Sequence, residues 1–321
     1  MDLINEGKVK RVYADPESPK RVIIEFTDTI TAGDGQKREE IEGKGLVTCD
    51  TSEFLLKYLQ DKGVATHFIK RLEETRLLCR KVDIFPLEVV CRNFAAGSFC
   101  DRYGLKRGQL MSEPLIEFFL KDDSLHDPLL SADAIERLGI ANPDEIAFMY
   151  SVTLSVNYYL RELLSQAGLR FVDFKLEFGK AEDGAILLAD EISGDTIRVW
   201  DKDEDSLDKD IFRHDSGNVV EAYGRLLGRL KETNPDEIPV RTEFLTILVL
   251  PKDGIKNPPG EVTRKAMTRL GFEEVVEVRA GRIYRVKINR PISPDILNQL
   301  HEMNMKLLSN PIAEKTEVRL T

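Results

Sequence analysis

The stretch that most restricts this chain is residues 171–201, FVDFKLEFGKAEDGAILLADEISGDTIRVWD. From Phe171 to Phe178 the side chains alternate with period two. Val172, Phe174, Leu176 and Phe178 fall on one face of an extended strand, and Asp173, Lys175 and Glu177 on the other. Gly179 to Gly184 breaks the pattern, and Asp183-Gly184 is the signal for a two-residue type I′ hairpin turn. With that turn Glu182 faces Ala185, and Glu177 faces Asp190. Like charges facing each other across strands repel. They persist as a solvated charged face, or with one pKa raised, or with a cation between them. Few, hard oxygen ligands without histidine suit Mg²⁺ carried on a nucleotide phosphate. Asp195, Arg198 and Asp201 extend the polar cluster around the lone tryptophan, Trp200.

The rest of the chain reads as α+β. A short hairpin is expected from EGKVKRVY (6–13) and RVIIEF (21–26), joined by a proline-containing turn, with Lys8 and Lys10 on one face. Both can approach phosphates; ordinary surface lysines fit equally well. Residues 27–45 read as a charged loop whose Gly33-Asp34-Gly35 lets backbone approach a ligand, or as plain surface. A helix is expected over 52–62 and strands over 64–69 and 77–82. A further strand, 87–98, ends in small residues, with Ser98 capping a helix that starts at Phe99. Arg92 beside that helix start makes an anion site, or pairs with an acid. Helices are expected over 144–167 and 219–230, with Arg213 in the charged segment between the strand pair and the second of them. Residues 233–239 read as a linker. Beyond it, strands at 241–250, 274–279, 283–288 and 314–320 and two helices give the order βαββαβ, a ferredoxin-like layer.

Composition excludes several classes. The longest apolar run, near Phe244–Leu250, is far short of a membrane span, and the N-terminus has no apolar signal-peptide core, so the cytoplasm is expected. Cys49, Cys79, Cys91 and Cys100 and the four histidines match no zinc or redox spacing. The net charge is −10. Residues 240–321 carry 14 Lys+Arg against 10 Asp+Glu, so the larger part is strongly acidic, which argues against its binding nucleic acid.

FVDFKLEFG, LADEISGDTIRVWD and RNFAAGS (92–98) together closely resemble the signature segments of the SAICAR synthetase (phosphoribosylaminoimidazole-succinocarboxamide synthase) family, over residues 1 to about 232. The resemblance implies a two-lobed ATP-binding fold, with lobes of about 1–84 and 85–232. It implies an ATP-dependent ligase that joins L-aspartate to the carboxylate of carboxyaminoimidazole ribotide (CAIR) through an acyl-phosphate. It assigns Lys8, Lys10, Glu177 and Asp190 to ATP, with Glu177 and Asp190 holding Mg²⁺. Asp173 and Lys175 go to the reacting end of the ribotide, and Arg92, Ser98 and Arg198 to its phosphate end. Asp195, Arg213, Asp34 and Gly35 complete the substrate contacts. The family usually has proline where this chain has Gly194, which predicts a looser turn before Asp195. A small-molecule kinase using the same cleft is the alternative.

LPKDGIKNPPGE, the LGF–VVEVRAGRIYRV stretch and KLLSNPIAEKTEV resemble the PurS-type small subunit of phosphoribosylformylglycinamidine (FGAM) synthase. That implies a non-catalytic assembly module that binds the large and glutaminase subunits, and, with the open face of a small sheet, a homo-oligomer. A small-molecule regulatory module or a weak nucleic-acid binder is the other reading of these residues.

Overall fold

A computed structural model describes residues 1–33, 35–289 and 291–320, so Asp34 lies outside the described residues. The chain divides into two units, Met1–Val240 and Arg241–Thr321. Among the described residues no helix is long and apolar enough to cross a membrane.

The first unit opens with β1 (Leu3–Glu6), β2 (Lys10–Ala14) and β3 (Arg21–Phe26). Gly7 N–H donates to the Lys10 carbonyl, so EGKVKRVY holds a turn at 7–9 as well as the β2 strand. The proline-containing turn joins β2 to β3 as the sequence predicts. A second hairpin, β4 (Thr29–Ala32) and β5 (Lys37–Glu40), replaces most of the expected loop. Helix α1 (Lys44–Asp61) begins eight residues before the expected Ser52. The glycines that suggest a loop have local reasons here. Gly43 is the N-cap at φ 83°, and a Cβ on Gly45 would lie 2.8 Å from the Phe26 carbonyl oxygen. β6 (Phe68–Glu73) and β7 (Arg76–Arg80) complete a sheet ordered β1-β2-β3-β7-β6.

A second sheet follows: β8 (Asp83–Ile84), β9 (Leu87–Phe94), β10 (Leu110–Leu120), β11 (Leu129–Leu130), β12 (Arg170–Lys180), β13 (Ile186–Ala189) and β14 (Ile197–Trp200). Between its strands run α2 (Ser98–Tyr103), α3 (Ala132–Arg137) and α4 (Pro143–Gln166). Helix α4 starts where its sequence requires. Asn142 and Glu145 form a reciprocal capping box, with Pro143 at the first position. α5 (Asp210–Arg213) and α6 (Val219–Lys231) close the unit. β12 is the hub, pairing with β9, β14, β13 and β8. Its apolar face, Val172 to Phe178, is buried as predicted, but Asp173 and Glu177 on the other face are buried too. The charged face borders a cavity, not open solvent.

Two further local expectations fail in this unit. The β12–β13 hairpin pairs Glu177 with Ala189 and Lys180 with Ile186, one residue away from the expected register. Ala181 and Ala185 close a three-residue loop, with Gly184 at φ 82° and Asp183 not in the left-handed region. This is the turn that ends in a single left-handed glycine, whereas type I′ needs two such residues. Ser98 is the first residue of α2, not its cap. Gly97 takes the cap position at φ 55°, where a Cβ would stand 3.1 Å from the Arg198 guanidinium.

The second unit contains β15 (Glu243–Pro251), α7 (Pro258–Arg269), β16 (Arg282–Ile288), α8 (Pro294–Met303) and β17 (Glu314–Leu320). Its antiparallel sheet is ordered β16-β15-β17. The strand expected at 274–279 does not form, and Val276 is 89% exposed. Contacts with the start of α7 hold the end of this stretch: Asn257 Nδ2 donates to the Ala280 carbonyl, and Gly260 abuts the Val278 carbonyl.

Candidate active site

The pairing of β12 sets the charge pattern. Asp173 has Arg92 opposite it on β9 and Arg198 opposite it on β14. Asp173 Oδ2 accepts from Arg198 Nη1 at 2.5 Å and from Arg92 Nη1 at 3.3 Å. Arg92 also donates to Glu117 at 2.6 Å and stacks 4.8 Å from the Phe99 ring; Arg198 donates to Asp210 at 2.6 Å. Burial pushes the Asp173 carboxyl up, against the pull of Arg198 and Arg92. Arg213 pairs with Asp210. Arg92 therefore does pair with acids, the structural alternative, while still reaching the cavity.

Further along β12, Glu177 accepts from Lys121 and, at 3.1 Å, from Lys175, which also donates to Glu88 at 2.7 Å. Burial disfavours the Lys175 ammonium, but Glu177, Glu88 and Asp190 outweigh it and hold this lysine protonated well above its usual range. Lys175 thus brings a positive charge to these carboxylates. Asp190 sits just past β13 at φ 60° and accepts from Lys10, which lies 3.0 Å from Glu191. Against the cost of burial, Lys10 and Lys175 hold the Asp190 carboxyl well below the usual range. His67 Nε2 lies 2.9 Å from the Asp190 carbonyl, which can only accept, so Nε2 carries the proton. Burial lowers this histidine to about 4, keeping it neutral. Lys8, in the turn before β2, pairs with Asp123 at 2.6 Å.

These groups face one cavity of about 1280 Å³. It exceeds the few hundred to a thousand Å³ of a typical single-ligand site, so it has room for more than one ligand. Lys8, Lys10, Lys175, Glu177 and Asp190 line it together with Gly35, Arg92, Ser98, Asp173, Asp195, Arg198 and Arg213. Every described candidate thus reaches the same space. Sequence reasoning missed Lys44, Lys121, Glu191, Lys209 and Tyr223. Lys44 is 1% exposed and pairs with Asp195, yet it lay in a stretch read as a loop. A buried lysine carries no sequence signal of its own. Around Gly194, its carbonyl accepts from Lys209 N–H at 2.9 Å, and Asp195 N–H donates to Ser193 Oγ at 3.1 Å.

The fold has close solved counterparts. A phosphoribosylaminoimidazole-succinocarboxamide synthase from Ehrlichia chaffeensis superposes with TM-score 0.70 at 40% identity, covering 73% of this chain and all of that one. A SAICAR synthetase solved in complex with ADP gives TM-score 0.69 at 43% identity, over 72% and 98% of the two chains. Relatives of the same name from Staphylococcus carnosus and Bacillus cereus are each 45% identical over 72% of this chain, and over 99% and 96% of their own lengths. These relatives place the chain among carbon–nitrogen ligases. Residues 3–230 match the model of SAICAR synthetase, and the chain belongs to that family. Residues 245–321 match the PurS model, described as phosphoribosylformylglycinamidine (FGAM) synthase.

Proposed function

We propose that residues 1–232 join L-aspartate to the carboxylate of CAIR at the expense of ATP, giving SAICAR, ADP and phosphate. The observation that carries this is the two-ended cavity. Lysines and carboxylates (Lys10, Lys175, Glu177, Asp190) gather at one end, and an arginine-flanked aspartate (Arg92, Asp173, Arg198) at the other. The first end suits a polyphosphate and the second a phosphorylated ribotide.

A carboxylate is a poor electrophile and needs activation. In this reading a CAIR carboxylate oxygen attacks the γ-phosphorus, the β,γ P–O bond breaks, and ADP leaves. The neutral aspartate amine then attacks the acyl carbon, the acyl C–O bond to phosphate breaks, and the N–H proton passes to the departing phosphate or to water. The chain's contribution is placement and fixed charge. Lys10 and Lys175 balance phosphate charge. Glu177 and Asp190 offer hard oxygens, and their attraction of three lysines (Lys10, Lys121, Lys175) shows the demand for positive charge there. They would hold Mg²⁺, which when bound neutralises phosphate charge. With ¹⁸O in both oxygens of the CAIR carboxylate, the expected result is one labelled oxygen in the released phosphate and one in the amide; unlabelled phosphate, with the lost oxygen in water, would eliminate the acyl-phosphate.

For residues 240–321 the reading is a non-catalytic module that docks FGAM synthase subunits. Retention of the large and glutaminase subunits on the immobilised chain supports it; a bare matrix at moderate salt refutes it.

A further inference from the structure

Asp195 borders the cavity, yet its side chain is only 3% exposed and both oxygens are engaged from behind. Lys44 Nζ meets Oδ2, and the Tyr223 hydroxyl donates to Oδ1 at 3.0 Å, with Lys209 Nζ 3.9 Å from the same oxygen. Neither Lys44 nor Tyr223 lines the cavity. They act on it only through Asp195. Burial and the neighbouring Asp195 charge keep the Tyr223 phenol protonated, so it remains a donor.

The tyrosine ring lies directly on the backbone of Gly194. A Cβ there would stand 2.6 Å from two of its ring carbons, and the ring is buried with its hydroxyl tied down, so it has little freedom to yield. Gly194 is not in the left-handed region, so its conformation does not require glycine. Space for the ring does.

We propose that Tyr223 is a positioning residue for Asp195, and that Gly194 is its steric complement. The missing side chain at 194 admits the ring, and the ring brings the hydroxyl onto Oδ1. The carboxylate is thereby fixed as an acceptor for an N–H group of the substrate in the cavity. This rests on the ligase reading of the site, in which Asp195 contacts the ribotide.

Tyr223→Phe keeps the ring and removes the hydroxyl. The KM for CAIR is expected to rise about tenfold, the scale of one hydrogen bond to a charged group, with kcat and the KM for ATP within about twofold. Gly194→Ala displaces the ring and raises the same KM. On the Tyr223→Phe background it adds less than about twofold, because the bond it acts through is already gone. A purely structural role would lower thermal stability without separating the ribotide KM from that of ATP. An unchanged CAIR KM in Tyr223→Phe, or equal losses for every substrate, overturns the positioning role while leaving the ligase intact. A wild-type chain that neither turns over nor binds CAIR in equilibrium dialysis removes the substrate reading of Asp195, and the proposal falls with it.

Discussion

Glu177→Gln is expected to lower kcat by about a hundred- to a thousandfold, the scale seen when one preorganised electrostatic contact to the reacting groups is removed. The substitution keeps the shape of a side chain that is buried on β12, and it keeps an oxygen for Lys121 or Lys175. Lys175 retains Glu88 at 2.7 Å, so no buried ammonium is stranded. The loss therefore falls on the negative charge offered to the nucleotide end, not on the fold. Asp190→Asn should lose activity on a similar scale. Steady-state kinetics with circular dichroism as a control for folding checks both; a Glu177→Gln protein within about threefold of wild type would place the phosphate chemistry elsewhere.

The second large effect concerns stability. Lys44 and Asp195 are 1% and 3% exposed at their side chains, and removing one member of such a pair leaves the other charged and out of water. Lys44→Met is expected to destabilise the first unit by about 3 kcal/mol, the lower end of the range for a broken buried pair, because Tyr223 and Lys209 still face Asp195. Trp200 is the only tryptophan and lies fully buried in that unit, so its fluorescence in urea isolates the transition. Adding Asp195→Asn should restore more than half of the loss, because asparagine keeps an acceptor for Tyr223 and removes the stranded charge. A loss below about 1 kcal/mol for Lys44→Met would mean that the pair is solvated in a way the structure does not show.

The alternation in β12 was legible because a strand has only two faces, and the two chemistries could not be mixed. What the alternation could not tell was that both faces are buried, one on apolar packing and one against a cavity. The register was not legible because Asp183-Gly184 serves two turns equally well, and only the backbone at Asp183 separates them. The slip does not scatter the site. Asp190 lies beyond the last paired residue, and its left-handed backbone, with His67 on its carbonyl, leaves its carboxylate to Lys10.

The pairing of Asp173 with two arginines joins strands that are about 80 and 25 residues away in sequence, a distance that local pattern does not cross. The valines of 274–279 failed in the opposite direction. Their β propensity is real, but a strand needs a neighbour, and this stretch lies against the start of α7.

The most direct test is ADP release by the purified chain with Mg-ATP, CAIR and L-aspartate, leaving out each in turn. The account predicts release only when all three are present, with one SAICAR formed per ADP. Release with CAIR in the absence of aspartate, at the full rate and without SAICAR, would contradict it and make the chain a kinase.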